Sequence, residues 1–199
     1  MSITLIVIAI TALVSIAAFN NTSLLNKLIL YPRQMNSPEE YYRFLTSGFI
    51  HADWNHLIFN MYALYMFGSQ MEDFIGSPFL YIVLYLSAII ISSIPPFIKN
   101  RNNSYYRSLG ASGGVSAIVF FSIYYFPWSR MGIIFIPIHI PSIIFAVLYL
   151  MYSYFMSKRG TDNIGHDAHI SGALYGMLFA LLIDPTHGQS FLFQLTHPS

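Results

Sequence analysis

The chain contains no cysteine, so disulfides and thiolate chemistry have no part in it. Charge is almost as scarce. Asp, Glu, Lys and Arg make up 9% of the residues, against about 25% in a soluble domain. There is no basic run and the net charge is +1, which argues against nucleic acid as a partner. No internal repeat is visible, which counts against an inverted-repeat transporter. The acidic residues Glu72, Asp73 and Asp184 sit at the ends of apolar stretches, so an acid-lined proton or solute path is a weak alternative.

What remains is apolar: 55% of the 199 residues are hydrophobic. Charged side chains are absent from 1–26, 54–71, 74–98, 108–129, 131–157 and 168–183. A helix crossing a bilayer needs about 20 mostly apolar residues, with a usable range of about 17–25. Six windows meet that need, the last by borrowing from its flanks. The pattern predicts an all-α membrane protein of one domain, 1–199, with helices over about 3–19, 53–68, 79–94, 112–126, 142–157 and 167–183. The first is expected to be a retained span and not a signal peptide, because it lacks a basic leading region. Asn20-Asn21 stop it, Gly68 is expected to end the second, and Pro95-Pro96 to close the third. The long connection between the first two carries Tyr31, Tyr41, Tyr42 and Phe44, which suit the membrane interface. The tail after Asp184-Pro185 gives no signal.

Three groups of residues carry chemistry. Gly110-Ala111-Ser112-Gly113 opens the fourth window. Backbone N–H groups are unpaired at a helix start and favour developing negative charge, so a serine there is a candidate nucleophile. Ala168-His169 opens the sixth, with Gly172 and Gly176 following. His169, Gly172 and Gly176 share one helix face at i, i+3 and i+7. Gly172-x-x-x-Gly176 is a close-packing motif, and Ser112, Gly113, Ser116 and Ala117 offer a matching small face. Pressed together, the two helices would bring the imidazole toward the Ser112 hydroxyl. His166 is a rival base expected to sit in water, and Asp167 is expected to point elsewhere, leaving a dyad without a third acid.

The third group is His51, His56 and Asn60 at the head of the second window. His56 and Asn60 share a face at i and i+4. A metal site would want further ligands on that face, whereas oxyanion donors need only an imidazole N–H and an amide NH₂. The donor reading is preferred, with no metal and no cofactor. All three groups open even-numbered spans, so the topology collects them at one side of the membrane.

These motifs together resemble the rhomboid family of intramembrane serine proteases, from about Glu40 to Asp184. The family's His-x₄-His-x₃-Asn matches His51, His56 and Asn60. Its Gly-x-Ser-Gly matches Gly110, Ser112 and Gly113, and its Ala-His-x-x-Gly-x-x-x-Gly matches Ala168, His169, Gly172 and Gly176. The resemblance implies a six-helix bundle, a catalytic Ser112–His169 dyad, and an oxyanion site from His56, Asn60 and the Ser112 backbone. It also implies transmembrane protein substrates cleaved at an easily unwound segment. Two departures stand out: Tyr42-Arg43 where the family often has Trp-Arg, and Ser116 where an aromatic residue often packs on the histidine. The alternative within the family is an inactive relative that binds membrane clients. The resemblance puts the site on the non-cytoplasmic side of the plasma or inner membrane. Eight of the nine Lys and Arg would then lie on that side, against the positive-inside rule. The oligomeric state is not legible.

Overall fold

The computed structural model describes residues 2–133, 136–159 and 165–197. It is mostly helical. α1 (Ile3–Phe19) and α2 (Thr22–Leu28) come first, followed by short helical turns that include α3 (Arg43–Thr46). α4 (Trp54–Ala63) passes through a π-helical stretch, Leu64–Gly68, into α5 (Ser69–Ile75). α6 (Pro78–Lys99) and α7 (Ser112–Tyr125) lead to an antiparallel hairpin of β1 (Arg130–Ile133) and β2 (Ile136–Pro141). α8 (Ser142–Arg159), α9 (His166–Ile183) and α10 (His187–Thr196) complete the chain.

α7 is the axis of the bundle. Every residue from Gly113 to Tyr125 is buried, so α7 has neighbours on all sides and needs no polar face. Its largest contact is with α9, and α6 packs on both. α1 is anchored by a carboxylate from another helix: Glu72 accepts from the backbone N–H groups of Ile3 and Thr4, at 2.6 and 2.9 Å, and from the Ser2 hydroxyl. A negative group there satisfies orphan donors and complements the helix dipole. α8 is peripheral. Only Ser142, Ala146 and Ser153 are buried along it, while Val147, Leu148, Met151, Tyr152 and Phe155 face outward.

Several expectations need correction. Gly68 does not end the second helix. It is helical, and a Cβ there would meet the Tyr81 hydroxyl at 2.6 Å, so it marks a close approach of α6. The stop is Gly76, whose φ of +64° suits a residue without Cβ. Pro95-Pro96 do not close the third helix either; α6 runs through them to Lys99. Proline keeps a helical φ but lacks the N–H bond and crowds the carbonyl four residues earlier, a cost that membrane helices tolerate where neighbouring groups re-satisfy the freed backbone. Asn100 caps the end by donating from its backbone and side-chain nitrogens to Pro96 O.

The chain is not all-α: the apolar residues ahead of the expected 142–157 helix, which does begin at Ser142 as α8, form the hairpin. The tail is structured too: α10 packs on α7, with Tyr124 and Phe191 stacked and the Trp128 indole donating to Gln194 O at 2.6 Å. Of the helices among the described residues, Pro78–Lys99 is the one long and apolar enough to cross a membrane unaided. Ile3–Phe19 and Ser112–Tyr125 are apolar but shorter.

Candidate active site

The site grows from the segment leading into α7. Leu30 and Ser108 exchange backbone hydrogen bonds at 3.0 Å, Gly110 N–H donates to Ser47 O at 2.9 Å, and Ala111 N–H donates to His51 Nε2 at 3.2 Å. Three successive anchors thus fix the backbone that delivers Ser112 as the first residue of α7. Gly110 is required on two grounds. Its φ is +119°, and a Cβ would stand 2.6 Å from His56 Cε1. His56 therefore lies directly over the turn that precedes Ser112.

His51 is a linker with both ring nitrogens engaged. Nε2 accepts from Ala111, so Nδ1 carries the proton and donates to Ser15 Oγ at 3.0 Å. Ser15 in turn donates to Phe49 O at 3.1 Å. Burial, with the neighbouring His56 as a second cause, pushes the His51 imidazole down to about 3, and the neutral ring suits an acceptor role. With neither nitrogen spare, His51 does not supply a ligand to a metal beside His56. Among the described residues no three His, Cys, Asp or Glu are placed so that they could hold a metal ion.

His56 lies in the first turn of α4, where Asp53 caps the helix by accepting from His56 N–H at 2.8 Å. Its ring meets that of His51 edge-on, 4.9 Å between centroids. Asn60 is buried, and its amide donates to His56 O at 2.9 Å. The two side chains thus sit one helical turn apart, with the Asn60 amide held by the His56 main chain.

α9 reaches α7 over bare backbone. A Cβ on Gly172 would lie 2.9 Å from Gly113 Cα, and one on Gly176 would lie 2.7 Å from Ala117 Cα. Each would also overlap the facing carbonyl oxygen. The small faces read from the sequence are the ones that meet. The crossing brings the Ala168 carbonyl beside Gly113, 3.7 Å from where its Cβ would be, so the first turns of the two helices are neighbours. Ser112 and His169 sit at those first turns, both half-buried. Gly113 itself abuts the Ser92 side chain of α6.

His169 is flanked by aromatic rings. Tyr149 of α8 stacks on it at 6.0 Å and 17°, and His166 meets it edge-on at 5.7 Å and 74°. His166 is not in water as expected. It is 3% exposed, covered by Tyr152 at 5.6 Å. The first helical turn of α9 carries it inward beside His169 because α8 overlies that turn. Asp167 does point away, to Lys99 at 2.6 Å. Ser116 is not an empty replacement for an aromatic: its hydroxyl is 2.6 Å from the Tyr149 hydroxyl. Arg43 retains an anchoring role, buried and donating to the carbonyls of Asn26 and Ile29 and to Glu40.

Sequence reasoning missed Ser15 and Tyr149. Ser15 had a signal, since Thr4, Thr11 and Ser15 form a stripe of hydroxyls at helical spacing with Val7 and Ala18. Tyr149 had none beyond its spacing of four from Phe145.

A family model described as Rhomboid domain matches residues 38–185. RHOMBOID-like protein 12, mitochondrial, of Arabidopsis thaliana is 30% identical over 145 residues, covering 65% of this chain and 42% of that protein. The mouse presenilin-associated rhomboid-like protein, mitochondrial, is 28% identical over 158 residues, covering 77% of this chain and 40% of its own. Rhomboid-like protein 11, chloroplastic, of Arabidopsis thaliana is 28% identical over 151 residues, covering 72% and 52% respectively. The chain spans about two-fifths to half the length of these curated relatives. With the family model matching residues 38–185, most of the chain, this chain belongs to the rhomboid family of membrane proteins.

Proposed function

We propose that the chain is an intramembrane serine endopeptidase cleaving a peptide bond in or near a transmembrane segment of another protein. The observation that carries this reading is the α7–α9 crossing at Gly113 and Gly172, which makes the helix opening at Ser112 a neighbour of the turn bearing His169. In this reading α1, the α4–α5 rod, α6, α7, α8 and α9 are the six spans of a single domain.

Ser112 Oγ attacks the scissile carbonyl carbon while His169 takes the hydroxyl proton. The oxyanion of the tetrahedral intermediate is held by the Ser112 backbone N–H, His56 and Asn60. A helix start leaves that N–H without an intrahelical acceptor. His169 returns its proton to the leaving amine, the C–N bond breaks, and the acyl group stays on Ser112. Water, activated by His169, then attacks the ester and releases the acid. No metal or organic cofactor enters these steps.

The site opens on the non-cytoplasmic face of a plasma or inner membrane, as the resemblance implies. Of the eight Lys and Arg on that face, three are held against the protein: Arg43 by Glu40, Lys99 by Asp167, and Arg107 over the Tyr31 ring at 4.3 Å. The test of the hydrolase reading is labelling of the purified chain by a serine-reactive fluorophosphonate. Labelling at Ser112 that disappears in Ser112→Ala and slows in His169→Ala is expected. Labelling elsewhere, or none, would overturn it.

A further inference from the structure

We propose that Tyr149 is the positioning residue for His169, and that Ser116 steers it. This rests on the hydrolase reading above and names an aromatic group that sets the plane of the base.

A histidine acting as base must present one nitrogen to the nucleophile, and in Ser–His–Asp triads a third side chain orients the ring. Asp167, two residues before His169, bonds Lys99. The imidazole meets the face of Tyr149, nearly parallel at 17°, with the edge of His166 against it. Stacking of this kind fixes the plane of the ring.

The tyrosine ring is itself held on several sides. Phe145, one turn earlier on α8, stacks on it at 5.7 Å and 24°, and Phe120 of α7 tilts against it at 5.8 Å. At its far end the hydroxyl meets Ser116 Oγ at 2.6 Å. Ser116 lies one helical turn after Ser112 on the same face of α7. The hydrogen bond therefore references the Tyr149 ring to the helix that carries the nucleophile. Nucleophile helix, tyrosine and base form a closed loop across α7, α8 and α9. An aromatic residue in place of Ser116 would occupy the same space from α7, so a small hydroxyl there leaves room for the ring to come from α8.

The loop has a consequence for α8, the least embedded of the helices bearing on the site. Its packing against α7 and α9 decides whether His169 keeps its aromatic wall.

The test is the rate of fluorophosphonate labelling at Ser112 in the full chain, with ¹H–¹³C spectra of its histidine rings as an activity-independent readout. Tyr149→Leu is expected to slow labelling about 10–100-fold, the scale of a small misplacement of a reacting group. Tyr149→Phe and Ser116→Ala are each expected to slow it only about 2–10-fold, the scale of one hydrogen bond, and the double variant no further. Ser116→Tyr combined with Tyr149→Leu should recover much of the loss. His169 ring protons should carry a ring-current shift in wild type and Tyr149→Phe that is absent in Tyr149→Leu. Labelling of Tyr149→Leu at the wild-type rate, additive effects of Tyr149→Phe and Ser116→Ala, or an unchanged His169 shift in Tyr149→Leu would overturn the proposal. If Tyr149→Leu does not fold, the Tyr149→Phe and Ser116→Ala cycle decides alone. Failure of wild type itself to label at Ser112 would reject the hydrolase reading, and the ring-current shift would still decide whether Tyr149 holds His169.

Discussion

Gly172 faces Gly113 so closely that a Cβ on it would stand 2.9 Å from the Gly113 Cα and overlap the neighbouring carbonyl oxygen. No side-chain rotation relieves an overlap with backbone, so the helices must part. In a bilayer, helix association rests on close packing, because lipid removes most of the hydrophobic drive. Gly172→Val is therefore expected to destabilise the fold by about 1–3 kcal/mol and to abolish activity by moving the start of α9. Gly176→Val should behave alike. Thermal melting in detergent and a cleavage assay check both; wild-type values in each would mean that α9 does not depend on this crossing.

The Ser15–His51–Ala111 chain gives a prediction about pH. Folded His51 titrates at about 3 against an ordinary value of 6.5, burial being the first cause. Above 6.5 both folded and unfolded chains hold it neutral, and its contribution is complete. As pH falls from 6.5 toward 3, the unfolded chain takes up a proton that the folded one refuses, so stability declines by up to about 1.4 kcal/mol per pH unit. His51→Gln should flatten the fall in melting temperature between pH 7.5 and 5.5. An equal slope in variant and wild type would contradict this.

Ser15→Ala isolates the same chain from the α1 side. It leaves the buried Nδ1–H of His51 without its acceptor, a loss of about 1–3 kcal/mol. The expected outcome is a lowered melting temperature and slower cleavage, although Ser15 lies outside the residues matched by the family model. Unchanged melting would show that the hydroxyl is dispensable.

For the oxyanion donors, His56→Ala and Asn60→Ala are expected to lower kcat about 10²–10³-fold with little change in KM, since the donors act on the transition state. The hydrogen bond from Asn60 is to the His56 main-chain oxygen, which His56→Ala retains, so that variant keeps the Asn60 amide in place. Steady-state kinetics of the three proteins decides this. A rise in KM alone, or stoichiometric zinc with activity lost on chelation, would assign these residues to another task.

The close crossing was legible because glycine spacing on one face is a local property: Gly172 and Gly176 pointed to a small partner face, and Gly113 and Ala117 supply it. The serine was legible for a similar reason, as a glycine-flanked residue at a helix start. Local rules failed where tertiary packing overrides them. Pro95-Pro96 read as a stop, yet α6 continues through them, and Gly68 read as a stop where it admits Tyr81. His166 read as solvated because it precedes the glycine stripe, while the cover comes from Tyr152 of another helix. Tyr149 was beyond reach altogether. It is one of 15 tyrosines, and its partners lie on α7 and α9, so only the assembled bundle singles it out.

The central claim is that Ser112 is a nucleophile served by His169. The direct measurement reconstitutes wild type, Ser112→Ala and His169→Ala in liposomes with a single-span model substrate and follows its cleavage. The account predicts a cut by wild type in or near the substrate's span, and no product from either variant at unchanged melting temperature. Cleavage retained in Ser112→Ala, or a wild type that binds the substrate without cutting it, would contradict it.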